Sequence, residues 1–390
     1  MPEAVIVATA RTPIGRAFKG SLADVRPDDL GGFAIDTLMN KVPEVDRSSV
    51  LDVLWGCGMT HHEQGYNVAR QAALLGGLPD STAATTVNRF CSSSLQTIRM
   101  AFHAIKAGEG DTYVAGGVES ISRCYGKAFS ADDLHPRFLD KTRDDFINEV
   151  YIPMGETAER VADQYGVSRE EMDEYAALSQ TRAVDAQKSG FFDRELTPFP
   201  KADGTIVTQD DGPRPGTTAE KLAGLEPVFR KDGTGRVTAG NACPLNDGAA
   251  AVLVMSDEKA KALGLTPLAR IVASAVSGLA PELMGVGPIE AVGRVLAQAG
   301  MKISDIDVFE LNEAFAAQVI PVCRELGVSI EDQLNPHGGA IALGHPFGMT
   351  GARIMTTLIN DLQTADKTFG IDTMCVGGGQ GMAMIIERLS

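Results

Sequence analysis

The feature that most constrains this chain is an internal repeat. "AVIVATA" at 4–10 resembles "ARIVASA" at 269–275, "LDVLWGC" at 51–57 pairs with "IDVFELN" at 306–312, and "VAGGVES" at 114–120 pairs with "VGGGQGM" at 376–382. The order is kept and the separations agree, so the chain reads as two similar halves facing each other across a different middle segment. Short β-rich runs, among them "AAVLVMS" at 250–256 and "TMCVGGG" at 373–379, alternate with helical patterns such as "SSLQTIRMAFHAIKAG" and "EAVGRVLAQAG". The class is therefore α/β. The middle, 119–246, is richer in charge, glycine and proline and reads as loops over a site. Superimposing the halves in sequence puts Cys91 close to Gly344-His345-Pro346, so a cysteine and a histidine fall in matching places.

Four stretches carry chemistry. In "NRFCSSSLQTI", Cys91 precedes small serines and an amphipathic helix, and a cysteine near the positive helix pole is biased towards thiolate. Local context leaves two readings equally open, a nucleophile or a small buried residue. In "FELNEAFAAQ" an apolar strand turns helical at Asn312, whose side chain either caps the helix or holds a polar group in a pocket. "NPHGGAIALGHPFG" places His345 before Pro346 among glycines, a turn hard to explain as core, whereas His337 reads as a hydrogen-bonding loop residue. "TMCVGGGQGM" sets Cys375 at a strand end, before a turn whose backbone N–H groups face a ligand; its spacing is not that of a dinucleotide fingerprint. Two thiols, a histidine and an Asn-Glu pair flanked by glycine suggest acyl transfer.

The formal charge of −16 argues against nucleic acid and anionic membrane as partners. A phosphate-bearing small ligand would need a local basic patch, and Lys201, Arg214, Lys221, Arg230, Lys231 and Arg236 supply one unless they are ordinary loop charges, the reading favoured for the segment taken alone. Six scattered cysteines without a CxxC pair suggest free thiols and no zinc site. The first apolar run is too short for a signal core, and no later run approaches a spanning length, so a cytoplasmic location is expected.

At these stretches the chain resembles the thiolases over essentially its full length. "VATARTPIG", "QGYNVARQAALLGGLP", "MGETAE", "RPGTTAEKLAGLEPVF", "VTAGNACPLNDGAAAVLVMS" and "MGVGPI" also occur in the family's order. The resemblance implies a five-layered α-β-α-β-α fold: an N-terminal half of 1–118 plus 247–268, a loop domain of 119–246 that binds coenzyme A, and a C-terminal half of 269–390. It implies Cys91 as acyl-carrying nucleophile, His345 as its activating base, Cys375 as the second, proton-moving cysteine, and Asn312 as holder of a water at the enolate oxygen. The backbone N–H groups of Cys91 and Gly377 would form an oxyanion hole. Arg214 and Lys221 would lie near the nucleotide of coenzyme A, with Leu222, Cys243, Met284 and Phe315 along the pantetheine tunnel. No metal or tightly bound cofactor is implied. Coenzyme A is a co-substrate and acyl-CoA the ligand; the partner is a second copy, as dimer or dimer of dimers, with a β-oxidation hydratase/dehydrogenase subunit as a further one.

Three departures bear on substrate. Cys243-Pro244 stands where the family often has Ser-Gly, Pro153 where acetoacetyl-specific members tend to carry histidine, and His337 where many have asparagine. "NRFCSSS" and "ELNEAF" resemble the degradative 3-ketoacyl-CoA thiolases, with thiolytic cleavage to acetyl-CoA and a shortened acyl-CoA as the expected reaction. The alternatives are a short-chain acetyl-CoA acetyltransferase, a ketoacyl synthase relative, against which Cys375 and its glycines speak, and a non-catalytic acyl-CoA binding protein.

Overall fold

In the computed structural model, which describes residues 2–125 and 131–390, nine main strands form one continuous sheet. In chain order they are β1 (Ala4–Arg11), β2 (Asp52–Gly56), β3 (Ala83–Val87), β4 (Thr112–Ser120), β5 (Asn246–Ser256), β6 (Ala269–Gly278), β7 (Val308–Leu311), β8 (Phe369–Val376) and β9 (Gln380–Arg388). Their spatial order is β7-β8-β9-β6-β1-β5-β4-β2-β3, with the short strand Gly15–Arg16 beside β5. Reading outwards from the middle, β1-β5-β4-β2 repeats as β6-β9-β8-β7, including the switch from antiparallel to parallel pairing at the outermost step. The halves are thus joined edge to edge, through only Val5 with Arg270 and Ile6 with Ala269.

Helices α1 (Pro27–Asn40) and α2 (Val68–Leu75) cover one outer face, and α6 (Gly287–Ala299) with α7 (Ala316–Leu326) the other. Between the two sheet halves lie α3 (Ser93–Ala107) and α8 (Thr350–Thr364), giving five layers. Strand alternation sorts the apolar residues into three cores. Val53, Trp55 and Leu253 face the first outer layer, Leu54, Val252 and Met374 the middle, and Phe309, Ile371 and Ile385 the second outer layer. The two middle helices meet at their N-termini: Ala352 donates its N–H to Ser94 Oγ at 2.9 Å, and a Cβ on Gly351 would come within 2.3 Å of Leu95 N.

The middle segment departs from the loop reading. It runs from after Ser120 to before Asn246 and contains two substantial helices, α4 (Met154–Tyr165) and α5 (Arg169–Ser189), the latter started by a Ser168/Glu171 capping box. Glu313 locks this segment to the C-terminal half, accepting from Tyr175 Oη and Ser179 Oγ at 2.6 Å each and from Asn335 Nδ2 at 2.9 Å. No helix among the described residues is long and apolar enough to cross a membrane.

One polar cluster breaks the middle core. Glu310 on β7, Asp372 on β8, and Asp361 and Arg353 on α8 are almost completely buried, and both Asp372 oxygens lack a partner among the described residues. Three carboxyls against one guanidinium cannot all ionise cheaply, and burial holds each of them well above its ordinary range. An acid whose folded value is raised contributes stability that is present below its unfolded value, near 4, and lost as pH climbs through the folded value. Asp372→Asn is therefore expected to gain on wild type as pH rises, by about 1–3 kcal/mol at neutral pH. Thermal melts of both proteins across the acidic to mildly alkaline range check this; a pH-independent difference contradicts it.

Candidate active site

Cys91 stands just before α3, on a turn that the sequence makes tight. Asn88 Oδ1 accepts from Phe90 N at 2.8 Å, Ser93 Oγ accepts from Arg89 N at 2.9 Å and donates to Phe90 O at 2.7 Å. Phe90 is forced to a φ of 43°, a costly conformation for a residue with a Cβ, which projects the next side chain from the turn. Cys91 as a residue is half-buried, and the N–H groups of Gly377 and of Cys91 itself point at its sulfur. Gly377 begins the three-residue turn between β8 and β9, with Gly378 and Gly379 at φ near +80°.

Cys375 lies at the end of β8, fully buried, and Cys91, Cys243 and Cys375 are close enough for their charges to interact. Burial pushes the Cys91 thiol up to about 11 and Cys375 well above the ordinary thiol range. This corrects the expectation of a helix-favoured thiolate: desolvation outweighs the N–H groups, so both thiols are protonated at neutral pH. A base must then take the proton.

His345 is the candidate for that base. Its backbone N–H is held by Asn246 Oδ1 at 3.0 Å, and its Nδ1 lies 2.7 Å from Thr350 Oγ1. The Thr350 hydroxyl donates to Pro346 O at 2.8 Å, so it accepts from His345, which fixes the proton on Nδ1 and leaves Nε2 as a lone pair. Burial, then the charge of Arg353, hold the imidazole down at about 3, neutral across the physiological range. Nε2 sits 3.3 Å from Asn312 Nδ2, while Asn312 Oδ1 is buried without a partner among the described residues. Asn312 is not a helix cap: α7 starts four residues later, after Phe315.

The structure adds Glu119, which sequence reading passed over. Its carboxylate, fully buried on β4, accepts from Gly58 N (2.8 Å), Met59 N (3.1 Å), Gln64 Nε2 (2.6 Å) and Gly348 N (2.9 Å). It ties the loop beside Phe90 to the loop that carries His345. A lone acid in the apolar strand "VAGGVES" was the available signal. Thr350 and Asn246, which orient His345, carried no comparable sign.

The register also corrects the match between halves. Leu54 pairs with Ala115, and its counterpart Phe309 pairs with Ile371, so Glu119 corresponds to Cys375. Helices α3 and α8 have equal lengths of 15 residues, and counting back from their starts sets Cys91 opposite Gly348 rather than His345. His337 proves structural, 2.5 Å from Asp361 Oδ1 and stacked on Phe191 with centroids 3.5 Å apart.

The residues expected at coenzyme A divide. Arg214 and Leu222 line a pocket of about 420 Å³, counting space open to solvent, with Arg16, Gln180, Gly212, Thr217, Ala239, Gly240, Pro244 and Ile341. Cys243, next to Pro244, donates its N–H to Ala314 O at 3.0 Å, and Phe315 bridges Ala242. Met284 lies in the second outer core, 1% exposed, and Lys221 Nζ bonds Gly216 O at 2.5 Å; neither lines the pocket. Lys201, Arg230 and Arg236 are paired with Asp24, Glu156 and Asp163, as ordinary loop charges would be.

Residues 4–258 match the family described as thiolase, N-terminal domain, and 265–388 thiolase, C-terminal domain. The chain is 45% identical to a Bacillus subtilis protein named 3-ketoacyl-CoA thiolase, over 99% of this chain and 100% of that protein. It is 46% identical to the Escherichia coli 3-oxoadipyl-CoA/3-oxo-5,6-dehydrosuberyl-CoA thiolase, with 100% of each covered. Among solved structures, the Bacillus anthracis acetyl-CoA acetyltransferase superimposes with a TM-score of 0.89 at 40% identity, over 100% of this chain and 99% of that one.

Proposed function

The chain belongs to the thiolase family of acyltransferases, and from that premise we propose that it cleaves 3-ketoacyl-CoA with coenzyme A through an acyl group carried on Cys91. The observation that carries this reading is a pair of protonated thiols in a site whose one buried imidazole, His345, is neutral and carries its lone pair on Nε2, where only the Asn312 amide meets it among the described residues. His345 accepts the Cys91 proton as the sulfur attacks the keto carbon. The N–H groups of Cys91 and Gly377 hold the oxyanion, a contribution worth on the order of 100-fold to 1000-fold per donor. As the Cα–Cβ bond breaks, negative charge moves to the thioester oxygen of the departing acetyl-CoA, where the imidazolium and a water held by Asn312 stabilise it, and Cys375 supplies the proton to carbon. The resulting Cys375 thiolate deprotonates coenzyme A, whose sulfur takes the acyl group and releases Cys91 as a thiol once His345 returns its proton.

The acyl group lies in apolar surroundings. A Cβ on Gly377 would sit 3.5 Å from the Phe90 ring and 3.7 Å from Met154 Sδ, and one on Gly378 would sit 3.8 Å from Val150 Cγ2. Each methylene buried there adds about 0.8 kcal/mol, close to 4-fold. The expected result is a kcat/KM that rises by about 10-fold or more from acetoacetyl-CoA to 3-ketohexanoyl-CoA. A profile that peaks at acetoacetyl-CoA would instead favour the short-chain acetyltransferase, the activity for which the Bacillus anthracis protein is named.

Three further readings belong to this proposal. The segment between β4 and β5 acts as the coenzyme A-binding domain, the enzyme works in the cytoplasm, and it assembles as a homodimer or a dimer of dimers. β3 ends the sheet with an open edge close to exposed Leu74, Leu75 and Tyr66, a surface suited to a second copy. A β-oxidation hydratase/dehydrogenase subunit is the further partner this reading carries.

A further inference from the structure

We propose that Arg89 and Gln380 are positioning residues for the oxyanion site: their side chains brace Gly377, whose N–H faces the Cys91 sulfur, against the turn that carries Cys91. This rests on the reading of Cys91 as acyl carrier. Two hydrogen bonds make the brace: Arg89 Nη1 donates to Gln380 Oε1 at 3.1 Å, and Gln380 Nε2 donates to Gly377 O at 3.2 Å. The orientation of the amide follows from its partners, because a guanidinium only donates and a backbone carbonyl only accepts. Glutamine does both at once. A glutamate of the same length could only accept.

Both ends of the brace are anchored. The backbone N–H of Arg89 donates to Ser93 Oγ at 2.9 Å, at the start of α3. Gln380 opens β9, where it pairs with Val376 on β8 and with Gly278 on β6, and a Cβ on Gly287 of α6 would come within 2.3 Å of its carbonyl oxygen. Between these anchors runs Gly377-Gly378-Gly379, a turn with no Cβ to restrict it. Leu279 holds the far end, donating its N–H to Gly379 O at 2.8 Å. At the near end, Gln380 makes the only side-chain hydrogen bond to the turn among the described residues. The strands alone therefore leave the Gly377 N–H loosely aimed, and a donor misplaced by about 1 Å can cost on the order of 100-fold in rate.

Nothing else in the structure accounts for Arg89. It is half-buried, its Nε is buried with no partner among the described residues, and desolvation holds its guanidinium below the ordinary value with no carboxylate to offset it, in a chain of net charge −16. Its side-chain hydrogen bond among the described residues is the one to Gln380. Donation by a cation to Oε1 polarises the amide and makes Nε2 a stronger donor to Gly377 O. The unpaired charge thus stiffens the turn through the amide.

Two variants separate a brace on Gly377 from a mere tie between Arg89 and β9. Gln380→Leu removes both hydrogen bonds; Gln380→Glu keeps the tie as an ion pair but turns an acceptor towards Gly377 O. In both, kcat for coenzyme A-dependent cleavage of acetoacetyl-CoA is expected to fall by about 10-fold to 100-fold, with KM within about 3-fold of wild type. A wild-type kcat in Gln380→Glu overturns the proposal. Arg89→Met should cost about 5-fold or more alone and less than about 2-fold in the Gln380→Leu background; full additivity counts against the brace. The second readout needs no turnover: the rate at which iodoacetamide alkylates Cys91, followed on its peptide by mass spectrometry at fixed pH. It should drop by about 3-fold or more in Gln380→Leu, because the Gly377 N–H then favours the thiolate less. Thermal melts check the fold, and a loss of kcat with unchanged alkylation would make the pair structural and overturn the proposal. Unmutated protein that fails to cleave acetoacetyl-CoA, while its alkylation still depends on Gln380, would instead undo the thiolase reading and leave the brace standing.

Discussion

Cys91→Ser is expected to lower coenzyme A-dependent cleavage of acetoacetyl-CoA by roughly ten-thousand-fold while the protein stays folded. Serine fits the space of cysteine and leaves the turn built by Asn88 and Ser93 intact. The chemistry is lost for a different reason. A serine hydroxyl is a far weaker acid than a thiol, so the same neutral His345 takes its proton far less readily. An oxygen ester on residue 91 would also lie at a different energy from the thioesters of substrate and product, so the second half of the reaction would no longer be balanced. Circular dichroism and thermal melting check the fold; steady-state rates check the loss.

The second large effect separates two thiols that look alike in sequence. Cys375→Ser should lower carbon–carbon cleavage by on the order of 1000-fold or more, yet still allow acyl transfer from acetyl-CoA to Cys91. The physical distinction lies in the leaving groups. Coenzyme A departs as a thiolate, a stable anion near neutral pH, whereas acetyl-CoA departs as a carbanion that must receive a proton as it forms. The pressure on Cys375 in the structure agrees with a proton donor: it is fully buried, and its thiol is held well up by desolvation and by the neighbouring cysteines. Mass spectrometry of the acyl-enzyme, set beside turnover rates, reads both steps. Equal loss of both would make Cys375 a structural residue.

The architecture was largely written in the repeat, because strand alternation and helix period survive in both halves and only a few topologies bury them. The register between halves was not. "VAGGVES" and "VGGGQGM" look alike because glycine and valine recur at strand ends, yet Ala115 pairs with Leu54 and Ile371 with Phe309, the counterpart of Leu54, so Cys375 and not Gly381 matches Glu119. A difference in loop length likewise moved Cys91 opposite Gly348. Similar strings locate elements; only pairing locates residues.

The site divides in the same way. Cys91, His345, Cys375 and Asn312 stood out because reactive side chains among glycines are hard to explain as core. Glu119, Thr350 and Asn246 did not, since each acts by holding backbone or another side chain, and that depends on partners distant in sequence. The sign of the Cys91 shift is not legible in the sequence for a related reason. A helix pole can be read from neighbouring residues, but the desolvation of Cys91 depends on segments far along the chain, such as the turn that brings Gly377 to its sulfur. The Ser168/Glu171 capping box shows the converse: a local signal for α5 was present within a segment whose composition suggested loops.

The central claim, acyl transfer through Cys91, is tested most directly by trapping the intermediate. Unmutated protein incubated with acetyl-CoA, quenched in acid and digested should carry an acetyl thioester on the peptide containing Cys91, and added coenzyme A should discharge it before the quench. An acetyl group on any other cysteine, or a modification of Cys91 that coenzyme A cannot remove, would contradict the account.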